Sequence, residues 1–334
     1  MSTDVSSEEP RPPERAGKSA LRRGVSALLP LAFTGLLAWF VWERRDQLEP
    51  LGETSILLLL AIGGLVTLSH VLNSTEFWLL YRAGGVDTPV SENALLFFAG
   101  TLGNYVPGQA GTLYRIHYMR VVRSTAYADS AAVYGANLVA TLAGAALVGI
   151  AATLVLAIDR GVAVWMLVVY MGVATLAVLA VLVPLPKAGR RVGVVARAWN
   201  AFHDGFVTIR RDPTTAFRVV ALEVVKYFAT ALRFQLAFEL VGFDEPYWYY
   251  LALAPAVGIA QFVSFTPGAL GFREAFLAAA SLALGSPLST GLLAATVDRA
   301  VMLAATLLLG IVGFAVTYPR LRRTRTTEAR STPP

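Results

Sequence analysis

Long runs of Leu, Ala, Val and aromatic residues alternate along the chain with short polar clusters. A membrane span needs about 20 apolar residues, at 1.5 Å rise each, to cross about 30 Å of hydrocarbon. Stretches at 25–42, 55–82, 126–158, 162–183, 214–241 and 289–317 have that character and predict six full transmembrane helices. Two further apolar regions, 90–123 and 247–284, are interrupted by P-G-Q-A-G at 107–111 and P-G-A-L-G at 267–271. Proline lacks an N–H and clashes with the preceding turn, and glycine frees the backbone. Each interruption therefore ends one helix and lets the next take a new direction.

The interruptions align with one another. Asn104-Tyr105-Val106-Pro107-Gly108-Gln109-Ala110-Gly111 and Ser264-Phe265-Thr266-Pro267-Gly268-Ala269-Leu270-Gly271 share Pro, Gly and Gly at an offset of 160 residues. Each is preceded by a small polar residue and an aromatic. Each also follows a span carrying polar residues and precedes a long apolar one, which predicts repeat one over 55–158 and repeat two over 214–317.

Basic residues orient the repeats, because Lys and Arg concentrate in cytoplasmic loops. With the N-terminus inside and each broken region returning to its own side, 20 of the 28 Lys and Arg fall inside and 3 outside. Full crossing by the broken regions would turn the basic 187–211 loop outward. The preferred topology has 90–123 dipping in from the cytoplasm and 247–284 from outside. The expected fold is thus an all-α integral membrane protein: about six spans and two re-entrant helix pairs in an inverted repeat, with both termini cytoplasmic.

Composition agrees with a membrane solvent: 56% of residues are hydrophobic, 15% are charged and the mean hydropathy is +0.59. With no Cys and three His, neither a disulfide nor a multi-histidine metal site is expected. Residues 1–24, rich in Ser, Glu, Pro and Arg, read as a disordered cytoplasmic tail, and 318–334 as a basic one. The 25–42 run is too long for a signal-peptide core and ends in Trp39, Phe40 and Trp42 without a cleavage site, so it reads as a retained anchor opening a 25–317 membrane domain. Over 190–211, apolar residues at three/four spacing with basic ends predict an amphipathic helix on the inner leaflet or on neighbouring cytoplasmic loops. Tyr247, Trp248, Tyr249 and Tyr250 read as an outer aromatic belt.

Irregular backbone survives at membrane depth only where it is buried in protein or lines a wet cavity, so both breaks should point inward. Asn104, Pro107, Gly108, Gly111, Pro267, Gly268 and Gly271 are the expected hinge residues. A half-helix beginning beyond each break offers free N–H groups and a positive dipole end, which suits an anion. Arg115, Arg273 and Glu274 lie in the first turns of those half-helices. Glu223, Lys226 and Arg233 fall within about 80° of one another on a single helix face, while Asp298 and Arg299 sit about a third of the way into the last span. An unpaired charge at the centre of a span costs at least about 2.5 to 3.5 kcal/mol. These groups either pair, Lys226 with Glu223 and Asp298 with Arg273, merely holding helices together, or they serve a ligand. Arg115 has the further option of emerging among cytoplasmic headgroups. His70 and His117 read as interhelical hydrogen-bonders, and the glycines of 135–149 as close-packing positions.

The residues at 265–275, F-T-P-G-A-L-G-F-R-E-A, resemble the P-x-x-P-G-G-L-G-x-R-E signature of the lysylphosphatidylglycerol synthase transmembrane region, a flippase-like family. N-Y-V-P-G-Q-A-G-T-L-Y-R at 104–115 resembles that family's first motif, commonly N-x-x-x-P-G-R-x-G-E-x-x-R. Gln109 and Thr112 stand where Arg and Glu are common, and Ala269 replaces a Gly. In that family lysyl transfer belongs to a separate soluble C-terminal domain, whereas about 17 residues follow the last span here. The resemblance therefore implies the translocation half: movement of a lipid with a charged or phosphate-bearing headgroup between leaflets of a prokaryotic plasma membrane. Arg273, Glu274, Arg115, Glu223, Lys226, Asp298 and Arg299 are the candidate substrate-binding residues. No catalytic residue, cofactor, metal or nucleic-acid partner is expected; a partner synthase and a homo-oligomer both stay open. The rival reading is a membrane-embedded enzyme or accessory factor of lipid-linked sugar or aminoacyl-lipid metabolism, with Glu274, Asp298 or Glu223 as acid or base.

Overall fold

The computed structural model describes residues 53–106, 109–160, 164–182, 200, 207, 212–263 and 266–331. The expected span at 25–42, the N-terminal tail, nearly all of 190–211, and Pro107 and Gly108 lie outside the described residues. Among those described, the chain is helical throughout, with no strand. The helices are α1 (Glu53–Ala83), α2 (Val90–Gly103), α3 (Ala110–Val122), α4 (Tyr127–Arg160), α5 (Val164–Leu182), α6 (Pro213–Leu240), α7 (Tyr247–Val263), α8 (Phe272–Ala283) and α9 (Leu288–Ser331). Three are long and apolar enough to cross a membrane by length and composition: Ile56–Ala83, Tyr127–Asp159 and Leu288–Thr324.

Local chemistry sets the boundaries. The Asp212 carboxylate accepts a hydrogen bond from the Thr215 amide at 3.0 Å, and Pro213 occupies the first helical position, so α6 begins there. The hydroxyl and amide of Thr215 hold the Asp212 carboxyl below its usual range. The ends of α1 and α6 are built alike. Gly85 and Gly242 adopt φ of +79° and +74°, and the next amides, Val86 and Phe243, turn back to the carbonyls of Tyr81 and Phe238. This left-handed glycine cap satisfies carbonyls that would otherwise be unpaired.

Each broken region folds back on itself. In the first, Glu92 near the start of α2 accepts from Arg123 at the end of α3, at 2.6 and 2.9 Å. In the second, the Tyr249 hydroxyl near the start of α7 donates to the Ser281 carbonyl near the end of α8, at 3.0 Å. Both ends of each hairpin therefore lie at one level. Glycine allows α2 and α3 to touch backbone to backbone: a Cβ on Gly111 would collide with the Gly100 carbonyl oxygen. The hairpins then exchange neighbours, α2 lying along α9 and α7 along α4, while α1 crosses α6. Gly310 and Gly313 of α9 lie directly against Leu102 and the Leu95 and Ala99 backbone of α2.

Two expectations change here. The basic tail after residue 317 is not separate from the last span, because α9 continues to Ser331 through Pro319. Leu321 is buried against the Phe77–Tyr118 cluster, and Arg320 reaches Glu92 at 3.2 Å, which ties the extension down. The aromatic belt is half a core. Tyr249 and Tyr250 are fully buried against Phe238 and Phe243, and of the four only Trp248 is exposed as a belt residue should be. An aromatic run at the start of an apolar helix fits either place, and sequence cannot say which rings face inward. The glycine expectation holds: Gly144 lies against Glu223 and Gly149 against the Tyr170 ring.

Candidate functional site

The two breaks meet. Gly268 has φ +60° and lies so close to Tyr105 that a Cβ would stand 2.6 Å from the ring's Cδ1. Arg299 stacks over the same ring, 5.3 Å from its centroid, and donates to the Gly268 carbonyl at 2.5 Å. Gly271 (φ +81°) closes the second break. Two half-helix amides expected to be free are already used: Asn104 Oδ1 accepts from the Thr112 amide at 2.9 Å, and Glu274 Oε2 from the Gly271 amide at 2.6 Å. Both acceptors are the chain's own side chains, so the breaks are stiffened internally and an incoming anion would need other donors.

Those donors surround a cavity of about 470 Å³ beside the breaks. Its wall takes His70 and Asn73 from α1, Gln109 and Thr112 at the start of α3, and Tyr134, Asn137 and Thr141 from α4. Lys226, Tyr227, Thr230 and Arg233 come from α6 and Arg273 from α8. All three lysine or arginine side chains in the wall belong to the second half of the chain. No carboxylate is among the described lining residues.

The carboxylates stand behind the cations, fully buried. On one side Lys226 Nζ lies 2.7 Å from Glu223 Oε1 and 3.3 Å from Glu76 Oε2, and donates to Asn73 Oδ1 at 2.8 Å. Asn137 donates to Glu76 at 3.1 Å, and the Thr141 hydroxyl donates to Glu223. On the other side Asp298 receives two guanidiniums, Arg233 at 2.6 Å and Arg273 at 2.8 Å. Two carboxylates thus share one ammonium, and two guanidiniums share one carboxylate. Buried charges persist only when paired and hydrogen-bonded, so both clusters hold helices together whatever else they do. Both pairings anticipated from sequence, Lys226 with Glu223 and Arg273 with Asp298, are present.

The remaining candidates sit apart from the wall. Arg299 pairs with Glu274 at 3.2 Å, bridging α8 and α9 at the second break. Arg115 does not emerge among headgroups: it is buried, with its guanidinium over Phe77 at 4.1 Å, Phe97 at 4.6 Å and Tyr134 at 5.2 Å. Such stacking suits a weakly hydrated planar cation. His70 meets Thr306 at 3.0 Å and His117 meets Tyr127 at 3.4 Å, as interhelical or inter-element contacts.

The chain matches the family described as "Lysylphosphatidylglycerol synthase TM region" over residues 27–310. It belongs to that family. It is accordingly a multi-pass membrane protein, of a family that its name links to lipid metabolism. No curated protein matches the chain. The two charged motif positions that are neutral here, Gln109 and Thr112, both line the cavity, so these departures fall where a headgroup would be felt. The third, Ala269, adopts φ +56°, a left-handed conformation that explains a preference for glycine.

Glu76, Asn73 and Asn137 complete the acidic cluster; the sequence shows Asn73 and Glu76 as polar residues inside the 55–82 span that support a polar chamber, but none of the three is among the candidate binding residues. One further signal singles out Glu76. G-x-D-x-P occurs at 85–89 and again at 242–246, ahead of each hairpin, an offset of 157. The same offset sets Glu76 on α1 opposite Arg233 on α6 in a sequence alignment of the two stretches. Glu92, which gathers Arg123 and Arg320, had no such signal.

Proposed function

We propose that the protein is a lipid translocase of a prokaryotic cytoplasmic membrane, in which an anionic or phosphate-bearing headgroup enters the cavity while the hydrocarbon tails stay in lipid. The observation that carries this reading is the layering of charge: Lys226, Arg233 and Arg273 in the wall, and Glu76, Glu223 and Asp298 buried behind them. A phosphate meets guanidinium forks and an ammonium on one side, with Thr112, Thr141, Asn73 and Asn137 as further polar groups. An aminoacylated, cationic headgroup meets three like charges. The carboxylates are engaged by cations and withdrawn from the wall, which also disfavours the rival in which Glu274, Asp298 or Glu223 acts as acid or base on a substrate.

We read the architecture as six spans and two re-entrant hairpins in an inverted repeat, with both termini cytoplasmic. Three features support it. The hairpins swap neighbours, α2 on α9 and α7 on α4. Each hairpin returns to its starting level. The Glu76–Asn137 contact in repeat one recurs as Arg233–Asp298 in repeat two, at offsets of 157 and 161 that also relate Gly85 to Gly242 and Tyr127 to Leu288. Rocking of one repeat against the other would expose the cavity to each side in turn.

The test is reconstitution of the full chain in liposomes with fluorescently labelled phosphatidylglycerol or phosphatidylcholine, reading headgroup movement by dithionite quenching. Faster movement of phosphatidylglycerol is expected, slowed about tenfold or more in Arg273→Gln and Lys226→Gln. Equal rates in wild type and both variants would remove the site from the mechanism.

A further inference from the structure

We propose that each anionic headgroup entering the cavity is accompanied by one proton, taken up by the Glu76–Glu223 carboxylate pair. This rests on the reading of the cavity as a headgroup site and adds the coupling ion.

The inference starts from a charge count around the cavity. Lys226, Arg233 and Arg273 supply three positive charges, and Glu76, Glu223 and Asp298, all fully buried, supply three negative ones. Arg299 and Glu274 form a separate, neutral pair, and Arg115 stays outside the wall, caged by the rings of Phe77, Phe97 and Tyr134. The cations of the wall and their buried carboxylate partners therefore balance one another. An anion brings an uncompensated negative charge into a region of low dielectric, where such a charge is costly. A proton restores the balance.

The position best suited to receive it is the acidic cluster. There two carboxylates converge on one ammonium, and Glu76 has the weaker hold on it, at 3.3 Å against 2.7 Å for Glu223. Glu223 Oε1 is engaged by Lys226 and Thr141, while its Oε2 is buried with no hydrogen-bond partner. Asp298 is the opposite case, one carboxylate held by two guanidiniums. Lys226 lines the cavity, so a phosphate drawing its ammonium forward weakens the charge compensation of Glu76 and Glu223 together. Asn73 and Asn137 touch the cluster and also line the cavity, which gives the proton a polar route.

The other groups facing this cluster do not offer an equivalent acceptor. From α4 come Asn137, Thr141 and the phenol of Tyr134; from α6, Arg233 and the phenol of Tyr227; from α8, Arg273. The cavity-lining residues of α7 are not ionisable. His70 on α1 faces the cavity and is the competing acceptor, although its Nε2 is already engaged with Thr306.

Isothermal titration of the full chain in mild detergent decides the matter, using dihexanoyl phosphatidylglycerol as probe in buffers of different ionisation enthalpy at pH 7. Its phosphodiester stays ionised there, so buffer-dependent heat reports the protein's own proton. Inorganic phosphate, corrected for its own titration, separates recognition of phosphate alone from that of a lipid headgroup. Wild type is expected to take up about one proton per phosphatidylglycerol bound. Glu76→Gln is expected to bind with uptake lowered at least several-fold, and His70→Gln to keep it. Binding without proton uptake in wild type overturns the coupling but leaves the headgroup site standing. Full uptake in both Glu76→Gln and Glu223→Gln, or loss confined to His70→Gln, overturns the assignment to the pair. Absence of any binding removes the headgroup site and the coupling with it.

Discussion

Around Lys226 two carboxylates share one ammonium, whereas around Asp298 two guanidiniums share one carboxylate, and α6 contributes to both clusters. The contact between α1 and α4, Glu76 with Asn137, is amide to carboxylate; that between α6 and α9, Arg233 with Asp298, is a full ion pair. Glu76 and Arg233, 157 residues apart, thus carry opposite charges. The difference teaches which group each cluster can spare. Asp298 is indispensable to its cluster because, among the described residues, it is the one carboxylate paired with both Arg233 and Arg273. Glu76 is the surplus member of the other.

The sharpest break of the comparison is Asp298→Ala, which strands two buried guanidiniums. A loss of about 3 to 5 kcal/mol is expected, read as a lowered unfolding midpoint in detergent or as failure to accumulate folded protein. Next comes Gly111→Ala. Its Cβ has no space beside the Gly100 carbonyl, so prying α2 from α3 costs about 1 to 3 kcal/mol. Gly64→Ala on α1, where a Cβ meets nothing within 4 Å, serves as its neutral control in the same unfolding assay. Glu76→Gln sharpens the contrast with Asp298: because Lys226 keeps Glu223, the change in stability should stay within about 1 kcal/mol, as removing surplus charge offsets the lost contact. The smallest effect has the opposite sign. Ala269→Gly relieves a left-handed alanine and should stabilise by about 0.5 to 1 kcal/mol, visible as a raised midpoint.

The elements were legible in the sequence because length and apolar content report directly on helices, and Pro-Gly pairs on their breaks. α1, α4, α5 and α6 begin and end within a residue or two of the predicted spans. The Lys226–Glu223 pair was legible because i,i+3 neighbours on a helix must meet. Glu76 was not, since its contacts lie 61 and 150 residues away and depend on how α1, α4 and α6 cross. Arg115 was legible as a cation near a break, but its burial was not. The aromatic cage of Phe77, Phe97 and Tyr134 comes from three separate helices and leaves no local pattern. Tyr249 and Tyr250 failed for the same reason, since only the Phe238 and Phe243 rings packed against them show that they face inward.

The central claim is that the cationic wall of the cavity holds an anionic headgroup. Native mass spectrometry of the full chain, purified in mild detergent, tests it most directly by weighing the lipid that stays bound. The account predicts an anionic, phosphate-bearing lipid retained by wild type and lost from Lys226→Gln and Arg273→Gln protein that is still folded. Retention of the same lipid by those variants, or of a cationic aminoacylated lipid by wild type, would contradict it.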